Sequence, residues 1–139
     1  MIDDSSTAYY LEVAPNDMDT RLKWSSLDFI ETNISDTEMI IGAGRKNTIL
    51  ILTIDINSPA SKACNNYINN NKNDWFLPSK DELNVLYNSS IGNMKQDYYL
   101  SSSQHSAWNM WGQWFSNGFQ TNGGSKNNDD GLVRAIRAF

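Results

Sequence analysis

The sequence predicts one α+β domain in which two helices pack on antiparallel β-sheet. Two helix starts with capping residues lie in the middle of the chain, at Ser58 and Ser79. Short segments typical of strands lie at both ends, and Ser116-Asn117-Gly118 indicates a hairpin turn between two of them. The 139 residues suffice for one domain, 1–139, with a core that needs no disulfide.

The first half of the chain gives one clear strand and one ambiguous segment. A strand is predicted over residues 8–13, and Pro15-Asn16-Asp17 is the turn that ends it. Residues 48–56 form an apolar run rich in Ile. Such a run fits a buried strand or a short buried helix, because periodicity does not separate the two.

Both predicted helices begin with a recognisable cap. At the first, Ser58 is the predicted N-cap and Pro59 takes the first helical position. The apolar residues that follow have helical spacing and predict one buried stripe: Ala60, Ala63, Cys64, Tyr67 and Ile68. The second begins with a capping box, in which Ser79 and Glu82 satisfy each other's backbone donors. Its inward face is predicted to hold Leu83, Leu86 and Tyr87. Capping accounts for the carboxylates of Asp81 and Glu82, so no acid–base role is assigned to them.

The last third of the chain reads as strands. They are predicted over residues 98–103, 111–115, 119–121 and 132–139, with an exposed loop over 122–131. Period-2 geometry points Trp111 and Phe115 inward and Gly112 and Trp114 outward. Trp75 is also expected to be buried and Trp108 exposed. Two arginines of the terminal strand need acceptors, Arg134 and Arg137, and the expected acceptors are Asp74, Asp81 or Glu82.

Composition excludes several classes of function. The net charge is -5 with 11 Lys+Arg, and no basic cluster could neutralise phosphates, so no nucleic-acid partner is expected. One Cys and one His exclude a zinc site of the usual ligand count. We expect no catalytic residue, no metal and no cofactor. The N-terminus is acidic, unlike a signal peptide, and no apolar run is long enough for membrane insertion.

A set of motifs in a fixed order carries a family resemblance. They are Ile-Gly-Ala-Gly at 41–44, Asn-Thr at 47–48, Ala-Ser-Lys-Ala-Cys at 60–64, Asp-Trp-Phe-Leu-Pro-Ser-Lys-Asp-Glu-Leu at 74–83, Tyr-Tyr-Leu-Ser-Ser-Ser at 98–103, Trp111 with Phe115, Asn-Gly at 117–118, and Val-Arg-Ala-Ile-Arg-Ala-Phe at 133–139. The chain resembles, over residues 9–139, the C-type-lectin-like variable proteins of diversity-generating retroelements. The resemblance implies a C-type lectin fold, with paired N- and C-terminal strands and a ligand-display face in the C-terminal half. Residues 1–8 would then be disordered or a leader stub.

The resemblance also implies a variable region over residues 103–132. In such proteins adenines of selected codons are mutagenised, so surface side chains change while the scaffold stays. The implied ligand-binding positions are His105, Ser106, Trp108, Asn109, Gly112, Trp114, Phe119, Thr121, Gly123, Gly124, Asn127 and Asn128. Trp108, Met110 and Trp114 cannot arise from the common Asn codon by adenine changes alone. Those three positions either use another template codon or do not vary.

The function implied is binding of a protein or glycan ligand on a cell surface, by a protein of phage, viral or microbial origin. The protein would work on a virion or at a cell surface after synthesis in the cytoplasm, and an oligomer is compatible with this role. The alternative is an invariant lectin-like adhesion domain of a bacterial surface protein. The related formylglycine-generating fold is catalytic, but it needs a cysteine-based copper site, which one Cys argues against.

Overall fold

The computed structural model describes residues 10–26, 32–126 and 130–139. Over these ranges the chain forms three helices and two antiparallel sheets, which confirms the α+β class. The elements are β1 (Leu11–Val13), α1 (Gly44–Ile54), α2 (Pro59–Asn66), α3 (Lys80–Ser89), β2 (Tyr98–Gln104), β3 (Asn109–Trp114), β4 (Gln120–Ser125) and β5 (Ile136–Ala138). One sheet has the order β1-β5 and the other β2-β3-β4.

The two-stranded sheet joins the beginning and the end of the described chain. Leu11 pairs with Ala138, and Val13 pairs with Ile136. The first strand is therefore confirmed over 11–13, while residues 8 and 9 lie outside the described ranges. The terminal strand is shorter than the predicted 132–139. Residues 131–136 are all buried, so no alternation between two faces exists there; Leu132 bridges Tyr99 and residue 136 bridges the segment before α3.

The ambiguous apolar run is a helix, α1. Its buried residues are Gly44, Asn47, Thr48 and Ile51, and Ile49 on the outer side is exposed. Only one face of this helix is therefore buried. Its small and polar residues face inward: Thr48 Oγ1 accepts a hydrogen bond from Leu77 N (3.0 Å), which ties the helix to the segment leading into α3.

Helix α2 corrects two details of the prediction. Ser58 is at the N-cap position, but its hydroxyl donates to Trp24 O (2.5 Å) and does not cap the helix. Ala60 and Cys64 are buried as predicted, whereas Ile68 is 70% exposed. The helix ends at Asn66, so Ile68 lies beyond it and leaves the apolar stripe.

The capping box of α3 is confirmed. Ser79 Oγ accepts from Glu82 N (3.2 Å), and Glu82 Oε1 accepts from Ser79 N (2.9 Å). The other oxygen of Glu82 accepts from Gly42 N (2.9 Å), so the cap also holds the segment before α1. Leu83 and Leu86 are buried and Tyr87 is half-buried. The box therefore fixes both the start of α3 and its contact with a distant loop.

The two arginines near the C-terminus have different partners. Arg137 Nε donates to Asp74 Oδ1 (2.7 Å), as predicted, and its NH1 donates to Glu12 (2.8 Å). The Arg137 hydrogen bond lowers the pKa of Asp74. Arg134 is buried and pairs with Asp17 (2.7 Å), an acceptor that the prediction missed. The expected acceptors Asp81 and Glu82 bind neither arginine, because Asp81 lies at the helix start and Glu82 serves the cap.

The three-stranded sheet lies between two apolar clusters, and the smaller one, with Leu83 and Leu86 of α3 and Tyr99 of β2, fills the face toward α3. On one face Gln113 Nε2 donates to Asn84 Oδ1 of α3 (2.9 Å), and Gln120 Nε2 donates to Lys80 O (2.8 Å). On the other face the sheet contributes to the main apolar core, with Tyr98, Leu100, Met110, Trp24 and Trp75 among its members. Strand β3 lies between β2 and β4 in this sheet, and β3 and β4 form a hairpin.

Candidate functional site

The candidate site is the β3–β4 hairpin, whose turn forms where the sequence predicts it. Gly118 has a positive φ of 84°, and its N–H donates to Trp114 O (2.8 Å). Asn117 Oδ1 accepts from Phe119 N (2.9 Å), and Trp114 N donates to Phe119 O (2.9 Å). A Cβ at Gly118 would also overlap the ring of Tyr87. The tip of the hairpin is thus fixed by backbone hydrogen bonds and by a conformation at residue 118 that glycine adopts most easily.

Three large aromatic side chains on and beside this hairpin are exposed. Trp108 is 57% exposed, Trp114 41% and Phe119 62%. The exposure predicted for Trp108 and Trp114 is confirmed, and so is the burial of Trp75 and Phe115. Trp111 is half-buried between Lys80 Nζ, 4.5 Å from its ring centre, and the imidazole of His105 at 5.5 Å.

Next to Trp114 lies an open cleft of about 340 Å³. Its aromatic wall is Trp114 on Tyr98, with ring centres 5.0 Å apart at an angle of 43°. Thr121 and Gly123 form part of its edge, and Arg21 and Asp130 line the remaining side. Of these residues, the prediction included Trp114, Thr121 and Gly123 but missed Tyr98, Arg21 and Asp130. No motif near Arg21 in the sequence indicates that its side chain lines the cleft beside Trp114.

The charged side of the cleft is an ion-pair network. Arg21 NH1 lies 3.0 Å from Asp97, and Arg21 Nε lies 3.3 Å from Asp130. The pKa of Asp97 is lowered, first by the hydrogen bond from Tyr98 N (2.7 Å) and then by Arg21. The network of two carboxylates and one guanidinium has a net negative charge, and of its two carboxylates only that of Asp130 lines the cleft. The carboxylates of Asp97 and Asp130 are both exposed and can accept hydrogen bonds from a polar ligand.

Gly112 and Gly124 are not surface positions, which corrects the prediction. Both are buried, and a Cβ at either residue would overlap the phenol oxygen of Tyr98. The ring of Tyr98 fills the space that two missing side chains leave on β3 and β4. Gly123 differs, since its nearest neighbour would be Thr121 Oγ1 at an ordinary 3.5 Å. Of the three glycines, only Gly123 can accept a side chain without repacking.

The loop between β2 and β3 holds four further predicted positions. His105 and Trp108 are exposed. Ser106 and Asn109 are half-buried and keep the loop in shape: Asn109 N donates to Ser106 Oγ (3.2 Å), and Asn109 Nδ2 donates to Gly124 O (3.3 Å). The loop and the hairpin tip lie at opposite ends of β3. The predicted residues therefore form two groups, one around Trp114 and one around Trp108.

The segment after the hairpin is not the exposed loop that was predicted over 122–131. Residues 122–125 belong to β4, and Lys126 and Gly131 are buried. Lys126 Nζ donates to Gln104 Oε1 (2.6 Å) and to Thr32 O (2.9 Å), and it lies 4.6 Å from the ring centre of Trp24. Burial lowers the pKa of Lys126 to about 8. The segment was predicted to be exposed because it is polar, yet Lys126 attaches it to the core.

The remaining predicted positions, Asn127 and Asn128, lie outside the described residues. Within the ranges that the structure describes, His, Cys, Asp and Glu side chains form no group of three that could hold a metal ion. Cys64 is buried on α2, and burial raises the pKa of its thiol, so it is a poor nucleophile in this state.

Comparison with known proteins gives no family assignment. No protein-family model matches the chain, and no curated protein matches its sequence. None of the helices in the described part of the chain has the length and apolar character that crossing a bilayer requires. Any functional assignment therefore depends on the residues of the site.

Proposed function

We propose that this protein binds a ligand through the β3–β4 hairpin and the adjoining β2–β3 loop, and that the exposed positions of this surface are diversified. The observation that carries the proposal is the set of three exposed aromatic rings, Trp108, Trp114 and Phe119, on a backbone whose turns are fixed by hydrogen bonds. Rigid aromatics lose little conformational entropy on binding and supply large contact areas.

The surroundings of the aromatic rings support the same role. Small and polar side chains, Thr121, Gly123 and His105, lie between or beside them and can adapt to different ligands. A single aromatic anchor in an interface contributes on the order of 2 kcal/mol or more to binding. The protein's charge of -5 and the acidic cleft favour a neutral or cationic contact region on the ligand.

The fold supports the resemblance to C-type-lectin-like variable proteins at the level of its layout. The strands at the two ends of the described chain pair, helices pack beside antiparallel sheet, and the exposed aromatics lie in the C-terminal half. On this basis we propose a C-type lectin-like fold for the domain and a virion or cell surface as its place of action.

The packing narrows which positions can vary. Side chains at His105, Trp108, Phe119 and Gly123 can change without disturbing the core because they are exposed, and half-buried Thr121 can change because it lines the open cleft. Gly112 and Gly124 must stay small under Tyr98. A diversified protein of this structure would vary at the first set and conserve the second.

Sequencing of the coding region from many sibling genomes tests this proposal. The expected result is that substitutions concentrate in adenine-containing codons of the exposed set and spare residues 112 and 124. An even spread of substitutions, or none, would contradict diversification. It would favour the second candidate, an invariant adhesion domain, which the ordered Arg21–Asp97–Asp130 network beside the cleft also fits.

A binding measurement tests the surface itself. Wild-type protein and the variant Trp114→Ala/Phe119→Ala would be compared for adhesion to bacterial cells. Ile68→Ala is the matched exposed control. Loss of adhesion in the double variant alone supports the hairpin as the binding surface. Equal adhesion of all three proteins would rule it out.

A further inference from the structure

We propose that a second copy of this chain docks on the outer face of α1, forming a symmetric dimer. The face is an open groove of about 1010 Å³ between the loop 35–38 and α1. Ile49 and Leu50 of the helix and Phe139 of the chain end give it an apolar lining. No residue of β3 or β4 lines this groove, so the inference does not depend on what the hairpin binds.

Further exposed apolar residues adjoin the groove in sequence or by stacking. We define the α1 patch as the exposed residues Tyr10, Met39, Ile40, Ile41, Ile49 and Phe139, which are 59%, 45%, 58%, 52%, 56% and 66% exposed. Tyr10 and Phe139 stack with ring centres 6.0 Å apart, and residues 39–41 run directly into Gly42 at the groove wall. Three consecutive exposed apolar residues are unusual for a solvated loop.

The size of the patch fits a dimer. These fractional exposures correspond to roughly 600 Å² of side-chain surface, and a standard interface buries about 800 Å² on each partner. The polar rim of the groove would supply the remainder. Interfaces of standard size associate with affinities from micromolar to picomolar, so dimerisation at micromolar concentration is the weakest result that fits.

The charges of the rim favour a second copy over another partner. The loop wall carries two acids, Asp36 and Glu38, and the helix wall carries two bases, Arg45 and Lys46. A two-fold axis places the same patch on both subunits, so each acidic wall can face the basic wall of the other copy. The chain as a whole carries a net charge of -5. At this groove the four charges sum to zero, so their net charge adds no repulsion between copies.

Lys46 is available for such contacts at little cost, whereas Arg45 is already held within its own subunit and also lies 3.8 Å from the Asp74 carboxylate. Lys46 is 66% exposed and its pair with Glu38 is long, at 3.7 Å. An exposed pair of this kind contributes little to the stability of a single subunit. Arg45 is held by Asp74 O (2.9 Å) and by the ring of Phe76, so it presents a fixed positive charge.

Sedimentation velocity of the full chain over a concentration series tests the proposal. The expected result is a monomer–dimer equilibrium for the wild type and for Ile68→Glu, an equally exposed isoleucine outside the patch. Ile49→Glu should weaken dimerisation at least ~30-fold, because it buries a charge opposite its own copy. Circular dichroism melting establishes that each variant is folded. A monomeric wild type at several hundred micromolar, or a dimeric Ile49→Glu, would overturn the proposal.

Charge reversal tests the symmetric arrangement and does not depend on the apolar variant. Lys46→Glu and the double variant Asp36→Lys/Glu38→Lys should each dimerise ~10-fold more weakly than the wild type. An equimolar mixture of the two should associate more tightly than either variant alone, since the acidic loop wall of Lys46→Glu again meets an intact basic helix wall. If the mixture associates no better than either variant alone, the proposed pairing of walls is wrong.

Discussion

The phenol ring of Tyr98 lies directly on Gly112, in a space that only a residue without a side chain can leave. Gly124 on the neighbouring strand completes this space, and Met110 borders it. The same ring packs against Trp114, the half-exposed wall of the cleft, with ring centres 5.0 Å apart. The orientation of an exposed aromatic side chain is thus set by two buried glycines.

Gly112→Ala is expected to destabilise the protein by about 1–3 kcal/mol, because the added methyl group would force Tyr98 out of its position. Gly123→Ala is the matched control in the adjacent strand, where the new Cβ meets only ordinary contacts, and its effect should stay within about 0.5 kcal/mol. Urea denaturation of both variants gives the comparison. Equal midpoints for the two variants would show that Tyr98 does not fill this space.

Asp17→Asn is expected to cost about 3–5 kcal/mol of the free energy of unfolding, since it leaves the guanidinium of Arg134 buried without its carboxylate. The hydroxyl of Tyr99, which donates to the same carboxylate, would then compete with Arg134 for the one amide oxygen that remains. Glu38→Gln removes an exposed ion pair instead and should cost less than about 1 kcal/mol. Thermal and urea melts measure both. A mild effect of Asp17→Asn would mean that Arg134 has an alternative partner.

The buried ammonium group of Lys126 should make the free energy of unfolding increase with pH in the alkaline range. Its pKa is about 8 when folded and 10.5 ordinarily, so between these values the unfolded chain binds more protons than the folded one. Stability linked to this residue therefore increases from about pH 8 to about pH 10.5 and is flat below pH 8. The measurement is the free energy of unfolding against pH for the wild type and Lys126→Met.

Subtracting the two curves of that experiment removes the titration of the tyrosines, which both proteins share. The wild type should gain stability relative to Lys126→Met across this interval. Parallel curves would show that the ammonium group is not buried in solution.

Acrylamide quenching of tryptophan fluorescence should report the exposed surface. Trp108 and Trp114 are 57% and 41% exposed, whereas Trp24 and Trp75 are 1% and 2% exposed. Trp108→Phe/Trp114→Phe should therefore remove most of the quenchable emission, and Trp75→Phe should leave it largely unchanged. If Trp75→Phe removes the larger share, the hairpin surface is covered in solution.

Local signals in the sequence were enough for parts of the fold. Ser79 and Glu82 form the predicted capping box because both partners lie within one helical turn. The turn at Asn117 and Gly118 forms for the same reason, since the residues that need a special backbone conformation are adjacent in sequence. The apolar run in α1 stayed ambiguous, because its inward face contains Asn47 and Thr48 and so conceals the helical period.

Features set by long-range contacts were not predictable from pattern. Arg134 and Asp17 are separated by 117 positions, and the sequence offered nearer carboxylates that serve other roles. Lys126 follows a polar stretch and reads as solvent-exposed, although a ring and two oxygens surround its ammonium group. Gly112 and Gly123 are the same residue on neighbouring strands. Only the register against Tyr98 makes one of them a packing position and the other an open one.

The pairing of β1 with β5 determines how the domain would respond to a pulling force. Tyr10 and Phe139 exchange two backbone hydrogen bonds, at 3.2 and 3.0 Å. A load applied through these two residues would act at one end of an antiparallel ladder, perpendicular to the strands and along its hydrogen bonds. The bonds would then break one at a time, as in a zipper. Tension through its two ends should open the domain first at this sheet, while the hairpin with its aromatic surface stays folded.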